Sequence, residues 1–153
     1  MPTPKAGVRA LRKGRYNQKN GIYFVTTVTR ARKPWFQDFT LACAMSRLLE
    51  DPNTLRGSRN LCWVVMPDHV HLLLQVETNP ISEAVARIKS ISARALNKNL
   101  KRTGPFWAPG FYDHGLRDTE SLRSVARYIV ANPVRANLAP GPAHYPFWNA
   151  IYL

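Results

Sequence analysis

Four segments of the chain concentrate β-branched, aromatic and leucine side chains, and each is flanked by turn-forming residues. The richest of them, residues 22–29, is typical of a strand. Two others are separated only by Pro67 and Asp68, which predicts an antiparallel hairpin. The predicted strands are therefore residues 22–29, 60–66, 69–76 and, more weakly, 111–117.

Three other segments carry apolar residues at intervals of three or four positions, which places them on one face of a helix. The predicted helices are residues 40–50, 81–99 and 118–131. The third is expected to begin at Asp118, a typical N-cap residue, and to end before Pro133, because a residue preceding proline avoids helical dihedral angles. The order of elements predicts an α+β fold, namely a ferredoxin-like βαββαβ antiparallel sheet with an added C-terminal helix.

The chain has no linker or internal repeat, and its 153 residues indicate a single domain over residues 1–153. Residues 1–20 are expected to form a basic N-terminal arm, and residues 140–153 a short tail. No signal-peptide pattern occurs, and no apolar run approaches the roughly 20 residues that span a bilayer, so a soluble cytoplasmic protein is expected. Cys43 and Cys62 lie among apolar neighbours and are expected to be buried thiols.

The net charge of the chain indicates a polyanionic binding partner. The chain has 22 Lys and Arg against 9 Asp and Glu, a formal net charge of +13. So basic a surface is typical of proteins that bind polyanions, with nucleic acid the first candidate and an anionic membrane surface the second. A basic surface without a partner is the alternative. The chain lacks a phosphate-binding glycine loop and a dinucleotide fingerprint, the usual sequence signatures of ATP and nicotinamide chemistry. Catalysis is therefore expected not to use ATP.

The segment from Met66 to Leu74 holds the most informative chemistry. Because side chains alternate along a strand, His69 and His71 should lie on the same face of the sheet, while Val70, Leu72 and Leu74 face a core. Two imidazoles about 6–7 Å apart along a strand can chelate one divalent ion. Two histidines satisfied by hydrogen bonds on a half-buried strand are the alternative reading, and the pattern alone leaves both open.

The last predicted helix carries a second candidate pair. Its apolar stripe is formed by Leu122, Val125, Ala126 and Ile129, and Tyr128 lies roughly 115° from the centre of that stripe. Asn132, four residues on, lies on the same side as Tyr128. A phenol and an amide oxygen would thus project together, as a nucleophile and a third metal ligand. A helix tyrosine flanking the core is the alternative.

Five segments taken together resemble the REP-associated tyrosine transposases, which are similar to the single-tyrosine transposases of the HUH superfamily. The match runs in order from about residue 12 to residue 140, and the most specific part is the histidine pair followed by Tyr-Ile-Val-Ala-Asn-Pro. The matching segments are Gly14-Arg15-Tyr16, Tyr23 to Thr29, Met66-Pro67-Asp68-His69-Val70-His71, Trp107 to His114, and Arg127 to Ala136.

The resemblance implies a role for each matching residue. His69 and His71 match metal ligands, Asn132 matches the third ligand, and Tyr128 matches the nucleophile that becomes linked to a 5′-phosphate of DNA. The metal implied is Mg²⁺ or Mn²⁺, and the substrate implied is single-stranded DNA carrying short REP-type hairpins. Asp113 and His114 match the family pattern as candidate second-layer residues around the site, with His114 also a candidate base for Tyr128. The implied protein is bacterial and nucleoid-associated, and is a monomer or a homodimer.

Basic residues are the candidate DNA contacts. Those of the arm are expected to contact the conserved flank of the hairpin, and those of the second helix are further candidates. The candidates are Lys5, Arg9, Arg12, Lys13, Arg15, Tyr16, Arg87, Arg94 and Lys98.

Two other functions fit parts of the pattern. A non-catalytic protein that binds single-stranded or hairpin DNA would need the basic surface but not the tyrosine with both histidines. A metal-dependent hydrolase that uses water, with Asp68 or Asp113 as base, would cleave DNA without Tyr128.

Overall fold

A computed structural model describes residues 20–117, 121–151 and 153, and its central feature is one antiparallel sheet of five strands in the order β4-β1-β3-β2-β5. The strands are β1 (Ile22–Val28), β2 (Ser58–Val65), β3 (His69–Val76), β4 (Tyr112–Gly115) and β5 (Trp148–Ala150). The α-helices are α1 (Phe39–Leu48), α2 (Ile81–Leu100), α3 (Leu122–Val130) and the four-residue α4 (Asn132–Arg135). Short 3-10 turns occupy Arg30–Arg32, Trp35–Gln37 and Pro142–His144.

The hairpin between β2 and β3 sets the position of the histidines. The Met66 amide donates a hydrogen bond of 2.8 Å to the carbonyl of His69, which closes the turn through Pro67 and Asp68. Strand β3 then pairs with β1, so that Thr26 lies opposite His71 and Val28 lies opposite His69. Residues directly opposite in an antiparallel pair share a face of the sheet, so β1 supplies the neighbours of both histidines.

Both faces of the sheet are covered. On one face, Val70, Leu72 and Leu74 pack in the cluster that includes α1 and α2. On the other face, Phe24 and Leu73 pack beneath α3. Burial on both faces explains the unbroken apolar run Leu72 to Leu74, since a sheet exposed on one side would alternate. The alternation along β3 therefore directs His69 and His71 toward the layer of α3.

The predicted order of strands and helices and the α+β class are confirmed. The predicted start of the last helix is wrong. It begins at Leu122, and the Ser121 hydroxyl caps it by accepting a hydrogen bond of 3.3 Å from the Ser124 amide. Asp118 lies outside the described residues. The helix ends at Val130 as the proline predicted, but Asn132 opens a separate short helix instead of sitting in the last turn.

The tail holds an element that the sequence did not predict. Strand β5 pairs with the outer edge of β2, where Asn149 lies opposite Trp63. The Glu50 carboxylate accepts hydrogen bonds from the Trp63 indole and from the Asn149 amide, which fixes the tail to the end of α1. The tail is therefore part of the sheet.

The two cysteines differ from each other. Cys62 is buried as expected, and burial raises the pKa of its thiol to about 12. Cys43 is only partly buried, which corrects the expectation for that residue, because it lies on the outer side of α1 between buried Ala42 and partly buried Ala44. Among the described residues, no helix is long and apolar enough to cross a membrane.

Candidate functional site

The imidazoles of His69 and His71 converge on one point above the sheet. Their Nε2 atoms are 3.2 Å apart, and the rings meet edge to face with centroids 4.6 Å apart. His71 is fully buried and His69 is largely buried. Two donor atoms that each lie about 2.2 Å from one ion at a right angle are separated by about 3.1 Å. The spacing of the two Nε2 atoms therefore fits two adjacent ligands of one cation.

The opposite nitrogen of each ring is held by another side chain. His69 Nδ1 lies 2.7 Å from Oδ1 of Asp68, and His71 Nδ1 lies 2.9 Å from Oγ1 of Thr26. When Nδ1 carries the proton, both Nε2 lone pairs face the shared point, and a cation between them removes their mutual repulsion. A carboxylate behind a histidine is a common means of orienting a metal ligand. Asp68 is itself held by Arg32 at 3.2 Å.

The protonation states also suit a metal. Burial, together with the positive charges of His69 and Arg135, lowers the pKa of His71 to about 2. Burial lowers the pKa of His69 as well, although the Asp68 carboxylate opposes the shift. Burial raises the pKa of Asp68, but hydrogen bonds and charges from His69 and Arg32 outweigh it, so this pKa lies below its usual value. At neutral pH both imidazoles are neutral and Asp68 is ionised, as metal binding requires.

Helix α3 presents Tyr128 to solvent beside the histidines. The residue is 41% exposed, in agreement with its predicted position away from the apolar stripe. The ring of Phe24 connects it to the metal candidates. Phe24 stacks on His71 with centroids 5.3 Å apart and meets Tyr128 edge to face at 6.3 Å. The candidate nucleophile and the candidate ligands are thus separated by the width of one buried ring.

Arg135 contacts the tyrosine from the short helix that follows. Its guanidinium lies 3.9 Å from the centre of the Tyr128 ring and donates a hydrogen bond of 2.7 Å to the Tyr128 carbonyl. The same charge lowers the pKa of His71, so it lies near that ring too. Neither Arg135 nor Phe24 is predicted from the sequence to take part in the site. The seven-residue spacing from Tyr128 to Arg135 was the available signal, but it crosses a helix break.

Asn132 lies in the same short helix as Arg135, three residues earlier, and is 8% exposed. Residues three apart on a helix are neighbours on its surface, so Asn132 and Arg135 lie on the same side of α4. Among the described residues, no group of three His, Cys, Asp or Glu side chains is placed to hold a metal. A third protein ligand would have to be of another type, and the amide oxygen of Asn132 meets that condition.

Asp113 and His114 are placed on opposite faces of the sheet. Asp113 is buried and pairs with Val25, whose side chain packs toward α1 and α2. His114 pairs with Phe24 and lines an open cavity together with Tyr128. His114 therefore shares the layer of the tyrosine, whereas Asp113 is separated from it by the sheet. The placement removes Asp113 from reach as the base of a hydrolase.

The predicted DNA contacts of α2 are remote from the tyrosine. Helix α2 packs on the face of the sheet opposite α3, so Arg87, Arg94 and Lys98 lie on the other side of the molecule from Tyr128. Arg87 is also engaged by Asn53, whose carbonyl accepts its hydrogen bond of 2.8 Å. The predicted DNA contacts of the arm lie outside the described residues. They are Lys5, Arg9, Arg12, Lys13, Arg15 and Tyr16.

A second basic surface, which sequence analysis missed, lies on α3 itself. Arg123 and Arg127 are exposed one turn apart and line a cavity of about 660 Å³ with Trp148 of the tail. Guanidinium groups beside a partly exposed aromatic ring, as at Trp148, are typical of single-strand binding surfaces. The folding of the tail against α3 creates this surface, so its only sequence signal was the four-residue spacing of the two arginines.

Known proteins are similar to this chain in sequence and in fold. The family model described as "Transposase IS200 like" matches residues 17–132. The REP-associated tyrosine transposase of Escherichia coli (strain K12) is 29% identical over 139 residues, which cover 87% of this chain and 78% of that protein. A solved structure of a REP-associated tyrosine transposase bound to a REP hairpin has a TM-score of 0.69 and 25% identity, covering 88% of this chain and 79% of that chain. A Deinococcus radiodurans R1 structure with 24% identity and a TM-score of 0.55, covering 80% and 95%, shares the fold.

The fold and the family match together define a transposase, the class of enzyme that cleaves and rejoins DNA. The chain belongs to the IS200-like transposase family. The sequence resemblance to the REP-associated tyrosine transposases is thereby confirmed.

Proposed function

We propose that this transposase cuts and rejoins single-stranded DNA beside a hairpin through a covalent bond between Tyr128 and a 5′-phosphate. The observation that carries the proposal is the row of ring contacts from His71 through Phe24 to Tyr128, in which an exposed phenol lies one ring away from two converging imidazole nitrogens. The neutral imidazoles favour a cation at that point, and the exposure of Tyr128 leaves its hydroxyl accessible to a DNA strand.

The chemistry balances without an energy source. The phenolic oxygen of Tyr128 attacks the phosphorus, the Oη–P bond forms, and the bond from phosphorus to the 3′-oxygen of the preceding nucleotide breaks. The phenolic proton leaves to solvent or a nearby base, and the 3′-oxygen takes up a proton. Rejoining is the reverse attack by a 3′-hydroxyl on the phosphotyrosine. The phosphodiester energy is kept in the covalent bond, in agreement with the absence of an ATP-binding motif.

His69, His71 and Asn132 would hold Mg²⁺ or Mn²⁺. Bound there, the ion would polarise the scissile phosphate and stabilise charge that develops on its oxygens. Asp68 and Thr26 would keep the two imidazoles in the ligating tautomer through their contacts with Nδ1. Mg²⁺ prefers oxygen ligands, and the amide of Asn132 and the phosphate would supply them.

Hairpin DNA is the proposed substrate because of both charge and likeness. The formal charge of +13 favours a polyanion. The solved REP-associated tyrosine transposase with a TM-score of 0.69 is bound to a REP hairpin. Arg123 and Arg127 offer a basic surface on the helix that carries the tyrosine.

The test is a search for the covalent adduct. Purified protein would be incubated with Mn²⁺ and single-stranded oligonucleotides that carry hairpins from its own genome, labelled at either end, and run on a denaturing gel. A labelled species of protein size should form with the label on the 3′ side of the cut, and should vanish with a chelator and in Tyr128→Phe. Tyr112→Phe is the matched control, because Tyr112 also meets Phe24 edge to face, at 6.4 Å, but on β4.

Three outcomes separate the candidate functions. An adduct that requires Tyr128 and metal supports the transesterase. Metal-dependent cleavage that persists in Tyr128→Phe would instead identify a hydrolase. Tight binding without cleavage on every hairpin tried would favour a protein that binds DNA without cutting it.

A further inference from the structure

A cavity of about 270 Å³ opens directly beside Tyr128. It is lined by Phe24, His114, Ser124, Val125 and Tyr128. Helix α3 packs mainly on β2, β3 and β5, so β1 and β4 lie at the margin of the area that it covers. The cavity therefore results from the offset of α3 toward one edge of the sheet.

The lining is suited to a flat heteroaromatic ring. Phe24 and Tyr128 stand at 77° to each other and form two adjacent aromatic walls, and Val125 adds an aliphatic one. His114 and Ser124 complete the lining, and the surface that these five residues present to the cavity is almost wholly apolar. Proteins that bind single strands commonly hold unstacked bases against aromatic and apolar side chains.

We propose that this cavity binds the base of the nucleotide whose 5′-phosphate is attacked by Tyr128. The inference rests on the proposed function, because it assigns the base by its distance from the tyrosine. The phosphorus that Tyr128 attacks is bonded to the 5′-oxygen of that nucleotide. Only the phosphate and one sugar therefore separate its base from the phenolic oxygen. The cavity begins at the Tyr128 ring itself, so a base leaving that sugar toward the sheet enters it.

Base binding here would position the strand for the reaction. A nucleotide held by its base next to Tyr128 presents its phosphate between the tyrosine and the histidine pair, because Phe24 borders both the cavity and His71. Stacking of one base on an aromatic side chain typically changes binding by about tenfold or more. Loss of the base should accordingly reduce kcat/KM by roughly tenfold while the phosphate chemistry persists.

The first experiment removes the base from the DNA. In the hairpin oligonucleotide that gives the adduct, an abasic site would be introduced at each position in turn. An abasic site immediately 3′ of the cut should lower the rate of adduct formation about tenfold, and abasic sites two or more nucleotides further 3′ should change it far less. An equal effect at all of these positions, or none at the first, would overturn the assignment.

The second experiment fills the cavity and does not depend on cleavage. Deoxynucleoside 5′-monophosphates, with deoxyribose 5-phosphate as the baseless control, would be titrated into the protein while the His114 ring is followed by NMR. The nucleotides should shift the His114 signals in wild type and in Tyr128→Phe, but not in Ser124→Trp, whose indole would occupy the cavity. Ser90→Trp is the matched control, an exposed serine of α2 on the opposite face of the sheet.

The two experiments separate this inference from the proposed function. Nucleotide binding that is lost only in Ser124→Trp supports the base site even if no adduct forms with any hairpin. An adduct that forms in wild type without any base-dependent shift of His114 would leave the transesterase in place and refute the base site. Equal shifts with deoxyribose 5-phosphate would assign the contact to the phosphate and overturn the proposal as well.

Discussion

The guanidinium of Arg135 lies 3.9 Å from the centre of the Tyr128 ring while it donates a hydrogen bond to the carbonyl of the same residue. These two contacts fix the tyrosine from both its side chain and its backbone. They also join α3 to α4 across the break at Ala131. The orientation of the candidate nucleophile therefore depends on a residue of the next helix.

Replacement of Arg135 should slow adduct formation without abolishing it. A cation over an aromatic ring contributes about 0.5–2 kcal/mol, so Arg135→Ala is expected to reduce the rate by up to roughly 30-fold. Arg135→Lys, which keeps the charge, should recover part of the loss. The rates would be measured in single-turnover adduct assays. Arg47→Ala is the matched control, because Arg47 is an exposed arginine in the last turn of α1, and an equal loss there would contradict a specific role for Arg135.

Asp68→Asn should weaken metal binding. The amide cannot replace the charge that orients and polarises His69, and removal of such a group typically costs 10- to 100-fold in metal affinity. Mn²⁺ titration followed by calorimetry would give the dissociation constant directly. Glu83→Gln, an exposed carboxylate at the start of α2, should leave it unchanged. Unaltered affinity in Asp68→Asn would show that the contact with His69 has no part in binding the ion.

The metal-free protein should lose stability as the pH falls below about 6.5. His71 is neutral in the folded state, with a pKa of about 2, but takes up a proton in the unfolded state near pH 6.5. The unfolded state then binds more protons, so the free energy of unfolding decreases with falling pH, by at most about 1.4 kcal/mol per pH unit for this group. The loss begins near the unfolded pKa and continues toward the folded one.

Urea denaturation with chelator at pH 7, 6 and 5 would measure that slope. His71→Gln should show a shallower dependence on pH than wild type, whatever its absolute stability. His144→Gln removes an exposed histidine and should keep the wild-type slope. Identical slopes in His71→Gln and wild type would argue against a buried neutral His71.

Two pairs of basic residues, one on α3 and one on α2, can be compared to find which surface binds DNA. Affinity of wild type should fall about 300-fold between 50 and 200 mM salt if roughly six phosphates of a single strand are contacted. The double variant Arg123→Ala/Arg127→Ala should lower the slope of log affinity against log salt by about 1.4, the value for two contacts to a single strand. Arg94→Ala/Lys98→Ala removes the same charge from α2 and should change the slope far less. The reverse result would restore α2 as the DNA surface.

Local sequence patterns predicted the histidine pair because the relevant spacing is short. Alternation along one strand was sufficient to place His69 and His71 on one face. The partners of these residues depend on strand register instead. Thr26 meets His71 across 45 positions of sequence, and the contact of Phe24 with Tyr128 spans more than twice that separation. Periodicity within a single element carries no information on such pairings.

The errors at the helix ends have a similar cause. Asp118 and Ser121 are both good N-cap residues three positions apart, and local chemistry does not choose between them. Pro133 predicted a break correctly, but a proline is also compatible with the first turn of a new helix, which is where the structure places it. Strand β5 has only three residues within a tail rich in proline, so its own sequence does not predict a strand. It is a strand because it pairs with the edge of β2.

The pairing of β5 with β2 has a consequence for the behaviour of the protein in concentrated solution. An open edge strand offers unpaired amide and carbonyl groups to other chains, and the apolar run from Leu61 to Val65 would make that edge a template for intermolecular sheet growth. The final strand occupies the edge opposite Cys62, Trp63 and Val64. Removal of β5 should therefore cause aggregation before it changes the chemistry at Tyr128.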